Sequence, residues 1–391
     1  MADLAGNRNA YSMKIERIEI FPVEYPTRMY FKFFTTPMGA SGRPSVVIKI
    51  TTDTGMVGWG QSVPISTWNY ETMESSMVVL KNYYIPALLG SDPLDITAAH
   101  AAMDKVIRPS FSTGMPLTRA GMDIALHDLA GKAAGLPIAG LWGKKQRGTL
   151  ELSWTVNVTK IEDVELSVTE GQKSGYRHFN VKVAPDPDFD CEVLKIVRAL
   201  APDAFLWVDA NGGYELDTAL KAAPMLADLG VRVLESPLPP NRISGYQQLR
   251  RQGAVPIYMD EGVISPVELE EFIKLGMLDG LAMKPSRCGG LLSNKRQIEI
   301  CRDHGLGWVG SGLSDPDISL AASLALYDAY ELDVAAALNG PQFLNGSILR
   351  EPIRIESAIA RVPDGPGLGI EVDENLLREM SERTASEWKM T

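Results

Sequence analysis

The sequence predicts a modified TIM barrel of the (β/α)7β kind, within an α/β chain whose N-terminal part is an α+β cap. Three observations lead there. From about residue 141, eight short apolar segments alternate with helical patterns, as in a parallel sheet with right-handed crossovers. Before that point strands come first and helices follow, which is an α+β order. Between Lys182 and Lys284, a charged residue stands at the end of five successive apolar segments, the end of a barrel strand where active sites lie.

The elements follow in order. Residues 1–12 are small and polar and read as a flexible tail. KIERIEIFPVEY alternates apolar and polar residues from Ile15 to Val23, a strand period. SVVIKITTDTGMVGWGQS reads as two strands joined at Asp53-Thr54-Gly55. Helical patterns cover 71–88, 95–105 and 118–134, the last stopped by Gly135 and Pro137. This assigns 13–140 to the cap and 141–355 to the barrel. The barrel strands are carried by ELSWTVNV, FNVKVA, AFLWVDAN, VRVLESP, PIYMDEG, GLAMKPS, GLGWVGSG and LDVAAAL. An open doubly wound sheet is the alternative, but it would open on a Gly-rich phosphate loop, and VNVTKIED is not one. The segment 356–391, Gly/Pro-rich and then helical, is expected to pack back on the cap.

Composition narrows the function. The chain has 391 residues and a formal net charge of −11, with no Lys/Arg-rich block, which speaks against a nucleic-acid partner. No apolar run reaches the roughly 18 residues of a membrane span. MADLAGNRNAYS has no apolar stretch behind a basic head and does not read as a secretory leader. Cys191, Cys288 and Cys301 are too few and too scattered for a disulfide framework, and the four histidines lack ligand spacing. A cytoplasmic enzyme acting on a small molecule is expected.

The chemistry is carried by Lys182, Asp209, Glu235, Asp260 and Lys284, spaced 27, 26, 25 and 24 residues apart, one strand–helix unit each time. Apolar strands have no packing use for a carboxylate, and a buried charge is costly unless paired or metal-bound. Asp209, Glu235 and Asp260 without histidine or thiolate describe a hard-cation site, with Mg²⁺ the natural occupant and Mn²⁺ the alternative. Lys182 and Lys284 flank that trio. A lysine beside a divalent cation and a second ammonium has its pKa lowered and can serve as a base. The parts specify metal-assisted removal of an α-proton from a carboxylate, giving an enediolate. The bland alternative is structural ion pairing, of Lys182 with Asp209 and Lys284 with Asp260.

At these residues the chain resembles the enolase superfamily and, within it, the muconate-lactonizing-enzyme-like subgroup of the mandelate racemase/muconate lactonizing enzyme family. GMDIALHDLAGKAAGLPIAGLWG at 121–143 looks like the family's link from cap to barrel. WVDAN, LESP and MDEG match the three metal-ligand segments, KPSRCGG the lysine motif of the sixth strand, and PGLGIEVDE the closing motif. The resemblance implies a racemase, epimerase or cycloisomerase, with a dehydratase as a further option. It also implies a symmetric homo-oligomer, often an octamer. The chain departs from the family's patterns at several positions. The family's Lys-x-Lys motif on the second strand reads Asn180-Val181-Lys182 here, so the usual base is kept and the helper lysine is an asparagine. The Asp-x-Asp of dipeptide epimerases corresponds to Ala337-Leu338-Asn339, and Ala337 occupies the place of the glutamate of muconate lactonizers. GSGLSDPD at 310–317 has no histidine of the mandelate-racemase type.

Secondary candidates complete the reading. Glu261 competes with Asp260 as third ligand or supports it from behind. Asn211 is either an orienting group or a turn residue in Asn211-Gly212-Gly213. Ser311 and Asp315 are expected to line the substrate pocket, and Trp68, Phe33 and Phe34 to close its mouth or simply pack. Cap loops at 28–42 and 60–70 are expected to set specificity. Rivals of another class are a Schiff-base lyase using Lys284 as nucleophile and a non-catalytic relative, for which Asn180 is the best argument.

Overall fold

The computed structural model describes residues 13–29, 31, 33–34 and 42–388. The expected tail at 1–12 and much of the 28–42 loop lie outside the described residues.

The cap begins with an antiparallel sheet of β1 (Ile15–Tyr25), β2 (Arg43–Thr52) and β3 (Val57–Ser62). The hairpin turns at Gly55, whose φ of +81° suits a residue without Cβ. One face of this sheet is covered by α4 (Pro116–Ala134), almost wholly buried. Gly60 permits the approach, because a Cβ there would collide with the Gly121 carbonyl. Glu71 caps α4 by accepting from the backbone N–H of Leu117 and Thr118, both at 2.8 Å. Ile48, Ile50, Leu80, Met122 and Leu126 form the core between these layers. The helix expected at 71–88 is broken into α1 (Met73–Val79), a π-helical turn (Leu80–Tyr84) and α2 (Ile85–Leu88). Pro86 lacks the N–H that a regular α-helix would use there. The last cap helix to precede α4 is α3 (Ile96–Val106).

The second body is a seven-stranded parallel sheet, β5 (Trp154–Val156), β6 (Phe179–Lys182), β7 (Leu206–Asp209), β8 (Val231–Glu235), β9 (Ile257–Met259), β10 (Gly280–Met283) and β11 (Gly307–Gly310), in that spatial order. The eighth segment, read as a strand from LDVAAAL, is reduced to two bridging residues. Ala336 exchanges hydrogen bonds with Glu151 and Ser153, and the Ala337 N–H reaches the Gly310 carbonyl at 2.8 Å. Those bonds join the first and last strands and close the cylinder. The first expected strand also splits: β4 (Thr149–Glu151) leaves to pair with β13 (Ile359–Arg361), itself paired with β12 (Ile355–Glu356). Helices α6 (Val164–Lys173), α7 (Pro187–Leu200), α8 (Leu216–Asp228), α9 (Ile243–Gln252), α10 (Pro266–Lys274), α11 (Leu291–Asp303) and α12 (Asp317–Ala329) alternate with the strands of the parallel sheet. At the C-terminus α14 (Glu374–Glu387) packs on β1, tied by Glu24 N–H to Thr384 Oγ1 (2.9 Å) and by Lys49 to Glu374 (2.6 Å).

Side chains inside the cylinder form layers. Trp207, Val233, Ala282, Val309 and Ala337 make one apolar cluster. Each of the first four stands two residues before Asp209, Glu235, Lys284 or Ser311, on the same strand face. The apolar layer is therefore the floor on which the charged residues stand.

Candidate active site

Register, more than spacing, builds the site. Lys182 pairs with Asp209 and Asp209 with Glu235 across adjacent strands. Asp260 follows β9 and Lys284 follows β10 directly. β6 and β10 are the second and sixth of eight positions around the cylinder, so the two lysines arise on opposite sides of its mouth. Both line one small cavity that is open at its mouth.

Four carboxylates and three cations meet here, nearly all out of water. Asp209, Glu235, Asp260 and Lys284 are no more than 4% exposed. Lys182 Nζ lies 2.5 Å from Asp209 Oδ2, and Lys284 is paired with Asp260 Oδ2. Arg287 Nε stands 2.8 Å from Asp260 Oδ1, without hydrogen-bond alignment, while its Nη1 donates to the Val263 carbonyl. Glu235 accepts from the Trp207 indole N–H at 2.5 Å. Asn211 donates from its backbone and its side chain to Asp209 and reaches Glu261 Oε1 at 3.1 Å. Asn211 is thus an orienting group as well as a turn residue, with φ of +46°.

The protonation pattern follows from this crowding. Burial, and then Asp209 and Asp260, push the Glu235 carboxyl well above its ordinary range. Burial works against ionised Asp260 too, but Lys284 and Arg287 outweigh it and hold that group low. Burial opposes the Lys284 charge, yet the surrounding carboxylates, Asp260 foremost, raise its pKa. Glu261 is raised by burial and by Asp260. The site as it stands is over-supplied with negative groups.

The donor set suits a hard divalent cation. Glu235 Oε1, Asp260 Oδ1 and Glu261 Oε2 are buried carboxylate oxygens that accept no hydrogen bond, and Asn211 Oδ1 is a fourth oxygen in the same condition. Among the described residues the carboxylates do not form a ready-made cage, and Asp209 and Asp260 are each paired with a lysine. Oxygen-only donors with excess negative charge are what Mg²⁺ or Mn²⁺ binds.

The other candidates fall into two groups. Trp68, Asn180, Asn211 and Ser311 line the cavity with the lysines, and the Trp68 ring covers Lys284 Nζ at 4.9 Å. Phe33 and Phe34 line it as well. Asp315 does not; it is buried behind the wall, 3.5 Å from Ser323 Oγ and close to Arg43. Glu261 lines a neighbouring cleft to which Trp68 also contributes. Sequence reasoning passed over Trp207 and Arg287. The signal for Trp207 was its place two residues before Asp209, and for Arg287 its place one turn after Lys284. Arg43 carried no such signal, since its role depends on cap and barrel meeting.

Comparison with known proteins agrees with this architecture. The N-terminal domain of the mandelate racemase/muconate lactonizing enzyme family matches residues 17–143, and the enolase C-terminal domain-like family matches residues 163–376. The chain therefore belongs to the mandelate racemase/muconate lactonizing enzyme family of the enolase superfamily. Within it, the relatives define an isomerase of the muconate-lactonizing type. Muconate cycloisomerase 1 of Rhodococcus opacus is 29% identical over 92% of this chain and 96% of its own. A chloromuconate cycloisomerase of Cupriavidus necator is 30% identical over 94% and 98%. An N-succinyl-L-Arg/Lys racemase of Bacillus cereus is 26% identical over 94% and 98%. The crystal structure of the Pseudomonas fluorescens muconate lactonizing enzyme with muconolactone superposes with a TM-score of 0.86, at 27% identity, covering 95% of this chain and all of that one. No helix among the described residues is long and apolar enough to cross a membrane.

Proposed function

We propose that this enzyme removes the α-proton of a carboxylate substrate and returns a proton to the same carbon or lets the intermediate rearrange, as a racemase, epimerase or cycloisomerase. The observation that carries this reading is the pair of lysines that line one cavity from the second and sixth of eight strand positions, each paired with a buried carboxylate.

Asp209, Glu235 and Asp260 would hold Mg²⁺, with Mn²⁺ able to replace it. When bound, such an ion neutralises the substrate carboxylate and the charge that develops as the α-proton leaves. Positive charge added beside Lys284 opposes the carboxylates that hold its proton and makes the free amine easier to form. One lysine takes the proton at its Nζ and the other supplies one from the far face. Asn211 keeps Asp209 oriented, Trp207 fixes Glu235, and Arg287 fixes Asp260. Trp68 covers Lys284 and excludes water from it. A symmetric homo-oligomer is part of the proposal and rests on the family resemblance alone.

Solvent exchange tests the proposal. The Mg²⁺-loaded enzyme in D₂O should replace the α-hydrogen of an accepted carboxylate, seen by proton NMR. Removing the ion should stop exchange, and the Lys182→Ala/Lys284→Ala double variant should lose at least about 10²-fold in rate. Exchange that persists in the double variant would refute the assignment.

A further inference from the structure

Beyond the two lysines and the carboxylates they face, the walls of the cavity are uncharged. Phe31, Phe34, Ile65 and Trp68 come from the cap side. This apolar wall is packed in advance: Phe31 meets Phe34 edge-on at 5.2 Å and stacks on Phe343 at 4.5 Å. On the barrel side Asn339 is already engaged. Its Oδ1 accepts from Ser314 at 3.0 Å and its Nδ2 donates to Thr155 at 3.2 Å. Ala337 contributes only a methyl group.

Asn180 differs. It stands two residues before Lys182 on the same strand face, 2% exposed, and its Nδ2 has no hydrogen-bond partner. A buried amide N–H with nothing to donate to is costly, and it lines the cavity. Nearby cations offer no second anion site. The guanidinium of Arg43 is taken by four backbone carbonyls. Arg28 donates from Nε to the Leu344 carbonyl, Arg287 stands against Asp260 and donates to the Val263 carbonyl, and neither lines the cavity. Among the described residues that line the cavity, Lys182 and Lys284 are the only cations, and an unpaired charge against this wall would be strongly disfavoured.

Resting on the proton-abstraction reading, we propose that the substrate is a monocarboxylate whose remaining part is uncharged. Its arm ends in an aromatic or branched apolar group against Phe31, Phe34 and Trp68. It also carries one neutral acceptor, such as an amide carbonyl, that takes the Asn180 N–H. Asn180 is then a specificity residue, and its amide leaves no fixed positive charge for a second carboxylate.

Three matched ligands test this on the Mg²⁺-loaded enzyme by calorimetry: N-benzoylalanine, its 4-carboxybenzoyl analogue and its 4-(aminomethyl)benzoyl analogue. The neutral compound is expected to bind at least about 100-fold more tightly than either charged one. Asn180→Ala should weaken it roughly five- to tenfold. Equal or tighter binding of the carboxy or the ammonium analogue, or no binding of any of the three, overturns the proposal. The α-hydrogen of bound N-benzoylalanine is followed separately in D₂O. If it binds as expected but does not exchange, proton abstraction fails while the ligand class stands.

Discussion

Arg43 opens β2 in the cap, yet its side chain reaches the barrel. It is completely buried, with Nε on the Leu313 carbonyl (2.9 Å), Nη1 on those of Pro44 and Pro64 (both 2.9 Å) and Nη2 on that of Val63 (2.7 Å). Burial lowers its pKa to about 10, with Asp315 opposing, so the group is charged at neutral pH. Arg43→Met removes four charge-assisted bonds and leaves Asp315 without its facing cation. Each such bond contributes about 1.5–3 kcal/mol. The methionine, however, also escapes the desolvation that the guanidinium bore. The net cost is set by the buried carbonyls left without a donor, at about 1–3 kcal/mol for each group left unsatisfied and about 3–5 kcal/mol in all. Arg43→Lys keeps the charge but not the fork, and should cost less, about 1–3 kcal/mol. Equilibrium urea denaturation measures both. Function should suffer as well, because the Leu313 carbonyl belongs to the loop 311–314 that walls the cavity; Arg43→Met should raise KM more than it lowers kcat. A stability loss below about 1 kcal/mol in Arg43→Met would refute the reasoning.

Other predictions concern the seam between cap and barrel and the floor of the site. Asp123 on α4 accepts the Leu291 N–H at 2.5 Å and His100 Nε2 at 2.8 Å, with His127 Nδ1 at 3.2 Å. Burial opposes ionised Asp123, but His127 and His100 outweigh it and hold its pKa well down. Burial opposes charged His127, but Asp123 raises it. The Asp123 contribution is present above its unfolded pKa and lost as pH falls through the lowered folded value. The His127 contribution is present below its unfolded pKa and lost as pH rises through the raised folded value. Stability of the wild type relative to Asp123→Asn should thus be greatest between about pH 4 and pH 6.5, and a flat difference in urea midpoints across pH 3–9 would contradict the pairing. Gly290→Ala should destabilise by at least about 2 kcal/mol and lower kcat, since φ there is +106° and a Cβ would run into the Asp123 carboxylate; wild-type stability and turnover would argue against that contact. Trp207→Phe removes the indole donor from buried Glu235 and should cost about 1.5–3 kcal/mol in denaturation, whereas an unchanged midpoint would show that the bond contributes nothing.

Much of this was legible in the sequence because barrel strands repeat a short physical pattern. An apolar strand that ends on a charge signals its own direction, so Lys182, Asp209, Glu235, Asp260 and Lys284 could be grouped before any coordinates. What stayed hidden depends on distant contacts. Nothing in LDVAAAL announces that only Ala336 and Ala337 bridge, because closure is decided by where Glu151 and Gly310 stand. Asp315 looked like a pocket residue from its place after the seventh strand, but the backbone turns at Ser314, with φ of +51°, and Asp315 faces inward toward Arg43. The aromatic wall joins residues some 300 positions apart, Phe31 and Phe343, which periodicity cannot reveal.

The stereochemistry of exchange in single lysine variants bears most directly on the central claim that Lys182 and Lys284 serve opposite faces of one carbon. Each resolved enantiomer of an accepted carboxylate is incubated in D₂O with Lys182→Ala or Lys284→Ala, and loss of the α-proton signal is followed by NMR. Each variant should retain exchange on one enantiomer and lose it on the other, with the two variants opposite in preference. Variants that lose the same enantiomer, or that still racemise both, would contradict a two-faced site.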